Sequence, residues 1–113
     1  MQDIIEHARQ LGKKIASHPR TVEFLNAARS VAEDSEAQGV LKAYQDQIEK
    51  IRGLESSGKA IEPEDKHKLV DSEAKVAGHD KLKLMMKHQA DYLEMMNRVN
   101  QAMDEAIQEN EKK

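Results

Sequence analysis

Five histidines, His7, His18, His67, His79 and His88, are the side chains of this sequence best suited to hold a metal or move a proton. Two imidazoles share a helix face within one turn only at a spacing of three or four residues, and no pair here has it. The nearest approach to a metal centre is Glu64-x-x-His67, the fragment that one helix contributes to a di-iron carboxylate bundle. Such a site takes a second Glu-x-x-His, which only a symmetric dimer would supply, and the fragment falls in a polar first turn. No metal ligand is assigned, and the fragment reads as solvated surface. Asp3 with His7, and His88 with Asp91, set an acid beside an imidazole at helical spacing. No serine, cysteine or glycine-rich elbow accompanies them, so the nucleophile and oxyanion parts of a hydrolase are missing. Gly12, Gly39, Gly53, Gly58 and Gly78 stand apart from one another, which leaves no phosphate-binding loop. The expectation is a protein without enzymatic activity, with no catalytic residue and no cofactor.

With 113 residues the chain is expected to form one domain, 1–113, with a modest core. Aromatic residues are 3% of it, so that core must come from Leu, Ile, Val, Met and Ala. The 18 basic and 21 acidic residues are interspersed and give a net charge of −3, which argues against bulk attraction to nucleic acid or to anionic lipid. One stretch departs from this balance. Lys66, Lys68, Lys75, Lys81, Lys83 and Lys87 outnumber Asp71, Glu73 and Asp80, and could greet RNA or an acidic partner. Without arginine or aromatic interleaving, a solvated face is the preferred reading. The absence of cysteine excludes disulfides, thiolate catalysis and cysteine-ligated clusters, and fits a reducing cytoplasm. The opening Met1-Gln2-Asp3-Ile4-Ile5-Glu6-His7 lacks the apolar run of a secretory signal, and no run approaches the ~20 residues of a membrane span.

The elements that carry these residues are all helical in pattern. Ile4, Ala8, Leu11 and Ile15 recur at helical spacing over 2–17, with Gly12 suggesting a close packing contact. Ser17 as N-cap and Pro19 in the opening turn start a second helix over 19–32. Asp34 or Ser35 caps a third over 35–56, and Ser35-x-x-Gln38 fits a capping box. In it Ala37, Leu41, Tyr44, Ile48 and Ile51 keep a heptad rhythm. Gly58 should break the chain in a left-handed conformation. Pro63 opens a fourth helix over 63–77, which Gly78 is expected to stop, and Asp80 is expected to cap a fifth over 80–110. No stretch alternates like a strand.

That fifth helix carries a methionine-rich face too wide for one neighbour. Met85, Tyr92, Met96, Val99, Met103 and Ala106 form one stripe, and Met86, Leu93 and Ile107 a second, with Asn100 on the second. Methionine suits surfaces that repack against partners. We therefore expect an all-α antiparallel bundle of about five helices that self-associates as a homodimer or higher oligomer. Leu41, Tyr44, Ile48, Met85, Tyr92, Met96, Val99 and Met103 are the expected interface. The competing classes are a metal-binding bundle built on Glu64 and His67, and an RNA-binding accessory protein using the 66–88 lysines.

The run Ala8-Arg9-Gln10-Leu11-Gly12-Lys13-Lys14-Ile15, then Asp34-Ser35-Glu36-Ala37-Gln38 with Leu41, Gln45 and Gly58-Lys59, resembles the YlbF/YmcA family of small bacterial helical proteins. The block from Asp80 to Leu93, with Gln89 and the apolar run to Ile107, is similar to that family's closing helix. The resemblance covers nearly the whole chain, through residues of packing and capping. It implies an all-α, self-associating fold with no known catalytic site. It further implies a regulatory role in competence, sporulation and biofilm formation, linked to a complex that assists a membrane-attached ribonuclease. Some complexes of that family carry cysteine-bound iron–sulfur clusters, which this chain has no cysteine to hold. Ser35 and His79-Asp80 stand where proline-containing turns are usual in the family.

Overall fold

Pro19 decides where the first helix ends. Its ring disfavours helical backbone at the residue before it, and His18 accordingly sits at φ −67°, ψ 140°. In the computed structural model, which describes residues 1–111, this one extended residue separates α1 (Gln2–Ser17) from α2 (Pro19–Ala32). His18 closes both ends. Its N–H donates to the Ile15 carbonyl (3.1 Å), its carbonyl accepts from Val22 N–H (3.1 Å), and its Nδ1 accepts from Arg20 N–H (3.1 Å). The cap expected of Ser17 is therefore made by His18, because a cap directly precedes the first helical residue and Pro19 takes that place. The Ser17 hydroxyl instead donates back to the Lys14 carbonyl (3.2 Å).

Asp34 caps α3 (Ser35–Ser56), its Oδ1 accepting from Ala37 N–H at 3.0 Å. Gln38 does not close a box on Ser35; its amide donates to the Ala32 carbonyl. At the far end Gly58 takes φ +72°, as the sequence predicts. Its N–H donates to the Glu55 carbonyl (3.2 Å) and Lys59 N–H to the Leu54 carbonyl (2.9 Å), the pair of bonds that a left-handed residue after a helix makes possible.

Pro63 begins α4 (Pro63–Gly78), where Asp65 Oδ2 accepts from Glu62 N–H (3.3 Å). The junction to α5 (Asp80–Glu111) differs from the sequence expectation. Gly78 remains helical, and the turn falls on His79 at φ −95°, ψ 117°, a conformation any residue adopts. His79 N–H donates to the Val76 carbonyl (3.2 Å) and its carbonyl accepts from Lys83 N–H (2.9 Å), so His79 stands in the cap position and Asp80 is the first residue of the helix. At ~1.5 Å per residue α5 is about 48 Å long.

Contacts within the chain group into two units, one of Ala27–Met85 and one of Met1–Asn26 with the α5 residues from Met86 on. In the first, Val31, Ala37, Val76 and Leu82 bring α2, α3, α4 and α5 to one buried cluster, and Val40, Leu41, Tyr44 and Met85 pack around it. Leu82 is wholly buried, a burial worth about 1.5–3 kcal/mol. Here α3 and α4 pack side by side. Asp65 links them, its Oδ1 2.9 Å from Lys50 Nζ and its carbonyl accepting from the Gln47 amide (2.9 Å). In the second unit Arg20 pairs with Glu94 and donates to the Asp91 carbonyl (3.1 Å), while Phe24 stacks on Tyr92 with ring centres 5.4 Å apart. No helix is long and apolar enough to cross a membrane, among the described residues.

Candidate partner interface

The apolar stripe of α1 is only partly covered. None of its sixteen residues is buried, and Ile4 is 64% exposed. Ile4, Ala8, Leu11 and Ile15 recur at helical spacing because α1 is amphipathic. With His7 and Gly12 they form one wall of a groove of about 470 Å³. α5 supplies the other wall with Met96, Val99, Asn100 and Met103. Among the described residues, every buried apolar residue lies in the Ala27–Met85 unit, and the groove's own unit buries only Thr21.

The residues expected to mediate association divide in two. Leu41, Tyr44 and Met85 pack on the buried cluster of their own chain, and Ile48 is half-buried on α3. Tyr92 is half-buried against Phe24. Met96, Val99 and Met103 line the groove, the first two half-buried and Met103 47% exposed. The second stripe of α5 faces water, with Met86 45%, Leu93 50% and Ile107 60% exposed. Asn100 is exposed as well. Sequence reasoning read the stripe of α1 as amphipathic without placing it at an interface. Its apolar residues alone do not tell a core-facing helix from a partner-facing one. At Gly12, as at the other four glycines, an added Cβ would meet nothing within 4 Å. The close packing expected at Gly12 is not made by this chain.

The candidate acid–imidazole pairs are not assembled. His7 Nδ1 donates to the backbone carbonyl of Asp3 (2.7 Å), and His88 Nδ1 lies 3.5 Å from Glu23 rather than beside Asp91. Glu64 pairs with Lys68 at 3.4 Å, while His67 lines a shallow hollow with Pro63, Lys66 and Val70. No group of three or more potential ligands that could hold a metal occurs among the described residues. The lysine excess is partly neutralised within the chain, as Lys68 meets Glu64, Lys75 meets Asp71 (3.2 Å) and Lys81 meets Asp34 (3.0 Å).

Three carboxylates are perturbed by neighbouring cations or backbone donors. The Ala37 N–H, then Lys81, holds Asp34 below the usual carboxylate range, and Lys50 does the same for Asp65. Arg20 lowers Glu94, helped by Arg98, whose Nε lies 2.8 Å from it.

A five-helix chain ending in one long helix, with the capping and glycine pattern above, invites comparison with known families. The model of the family described as control of competence regulator ComK, YlbF/YmcA, matches residues 4–108. The chain belongs to the YlbF/YmcA family. Its fold is similar to that of Bacillus subtilis RicA, whose crystal structure is in complex with RicF, with TM-score 0.76, 18% identity, and 96% of each chain covered. It is also similar to a protein of unknown function (DUF964) from Bacillus stearothermophilus, with TM-score 0.79, 20% identity, and 95% of this chain and 94% of that one covered. No curated protein matches it. These likenesses show the all-helical fold.

Proposed function

We propose that the protein is a non-enzymatic regulatory adaptor that acts by self-association and by binding other proteins, with the groove between α1 and α5 as its contact surface. One observation carries this reading: among the described residues, the unit holding the groove buries no apolar side chain, while Ile4, Leu11 and Met103 stand exposed along it. Leaving such a stripe in water forgoes about 25 cal/mol for each Å² that a partner would cover. The family supports a regulatory role. RicA, of similar fold, was crystallised with a protein partner, which supports action through protein contacts. Within this reading the partners are a second copy of the chain and a further protein, for which a ribonuclease complex is the proposal the family resemblance suggests.

Size-exclusion chromatography with light scattering tests the self-association. A mass twice that of one chain is expected at micromolar concentration, and a single-chain mass throughout that range would overturn the reading.

A further inference from the structure

We infer that α5 of a second copy lies antiparallel along α5, seated in the groove beside α1, with Leu93 level with the partner's Met103 and Lys83 paired with the partner's Glu111. The inference rests on the self-association proposed above and specifies its geometry.

The outer stripe of α5 repeats as a seam for a long helix. Met86, Leu93, Asn100 and Ile107 recur every seven residues, and Met96 and Met103 fall three places after Leu93 and Asn100. A strict seven-residue repeat is the pattern of two helices that run side by side. Met86, Leu93, Met103 and Ile107 are exposed along it. Met96, Asn100 and Met103 also wall the groove, so a helix laid on the seam lies against α1 as well. From Met86 to Ile107 the seam is about 32 Å long and calls for an apolar helix of matching length. α1 has only 16 residues, and the stripe of α3 packs within its own chain through Leu41 and Tyr44. Among the described residues, α5 alone carries such a seam in the open.

Charge and length both select a reversed second copy. The column beside the seam, again in steps of seven, is Lys83, Ala90, Asn97, Asp104 and Glu111, exposed throughout. From Asn100 to Glu111 the helix carries four acids, Asp104, Glu105, Glu109 and Glu111, and no cation. A parallel copy would gather two such ends, whereas an antiparallel one brings each acidic end to the other's Lys83. The ion pairs of α5 use Lys81, His88, Glu94 and Arg98, and leave Lys83 and Glu111 free among the described residues. Length fixes the register. Leu82 falls on the line of the seam and is wholly buried in its own chain, so the open part begins at Met86. Full overlap from there sets Met86 level with the partner's Asn110 and Leu93 level with the partner's Met103. The same register brings Lys83 beside the partner's Glu111. Gln89 and Asn100, the polar members of the seam, then face the partner's Ile107 and the partner's Met96, which lowers affinity without ending the repeat.

Because the chain has no cysteine, engineered thiols report the arrangement without background. In the antiparallel arrangement two copies of position 93 lie about 15 Å apart, as do two copies of position 103, beyond disulfide reach. Positions 93 and 103 of different copies adjoin. With diamide as oxidant, which accepts the two electrons and two protons released, Leu93→Cys alone should give no covalent dimer, and an equal mixture of Leu93→Cys and Met103→Cys should give one. Both side chains are about half exposed in the single chain, so the fold should tolerate either change. Charge reversal provides the second measurement. Lys83→Glu or Glu111→Lys alone should raise the dimer dissociation constant about fivefold, and the double variant should return it to within about twofold of the parent. Cross-linking of Leu93→Cys with itself overturns the antiparallel arrangement. A parent that is dimeric by light scattering, with no cross-link in the mixture or no recovery in the double variant, overturns this inference while leaving self-association in place. A parent of single-chain mass overturns both.

Discussion

The segment Ala27–Met85 fills its own centre, whereas the segment made of Met1–Asn26 and the α5 residues from Met86 on does not. In the first, four helices each place an apolar side chain in one buried cluster, and Asp65 is clamped by Lys50 and Gln47. In the second, α2 and α5 are joined by Arg20–Glu94 and Phe24–Tyr92, and no apolar residue of α1 is buried. The same kind of amphipathic sequence thus serves two ends. Where several helices converge it makes a core, and where only two helices face one another it leaves a surface that another chain can complete.

The largest expected effect falls in the self-sufficient segment. Leu82→Ala should lower the free energy of unfolding by about 2–5 kcal/mol in urea titrations followed by circular dichroism, because the site is fully enclosed. A loss below about 1 kcal/mol would remove the contrast between the two regions. In the open segment the expected change is in association. Met103→Lys should weaken self-association about tenfold or more while far-ultraviolet helicity is retained, since a lysine there is tolerated in water but not beneath a partner. Unfolding of the isolated chain by this variant would show that the groove is needed for the fold itself.

Smaller effects sharpen the picture. Gly58→Ala forces a side chain into φ +72° and should cost about 1 kcal/mol of stability by urea titration, with oligomeric mass unchanged. Acid should act on both regions. Asp34, Asp65 and Glu94 are all held below the ordinary carboxylate range, so their contribution is fully present above that range and is lost as pH falls through their lowered native values. Urea midpoints are therefore expected to fall between pH 7 and about pH 3. Asp65→Asn should lower the midpoint at pH 7 and flatten its decline in acid, and an unchanged slope would remove Asp65 from the account.

Local chemistry made much of the fold legible. Pro19 and Pro63 mark helix starts because proline is preorganised there and restricts the residue before it, and Gly58 marks a left-handed stop. Where two signals competed, the nearer geometry won. His18 took the cap from Ser17, and His79 took the turn expected of Gly78, since an extended residue at a direct helix–helix junction needs neither a hydroxyl nor a glycine. The candidate interface was legible only in part. Met96, Val99 and Met103 were singled out as partner-facing and line the groove, but Leu41, Tyr44 and Met85 follow equally good helical spacing and pack inside their own chain.

By itself the sequence determined that the chain is helical, where its helices begin and end to within a residue or so, and which face of each is apolar. These follow from backbone stereochemistry and a repeat of 3.6 residues, both properties of neighbouring residues. Only the tertiary structure decided which apolar faces are spent within the molecule and which remain to be covered. Coverage depends on how many helices meet at a point, and residues such as Val31 and Leu82 that share one cluster are far apart along the chain.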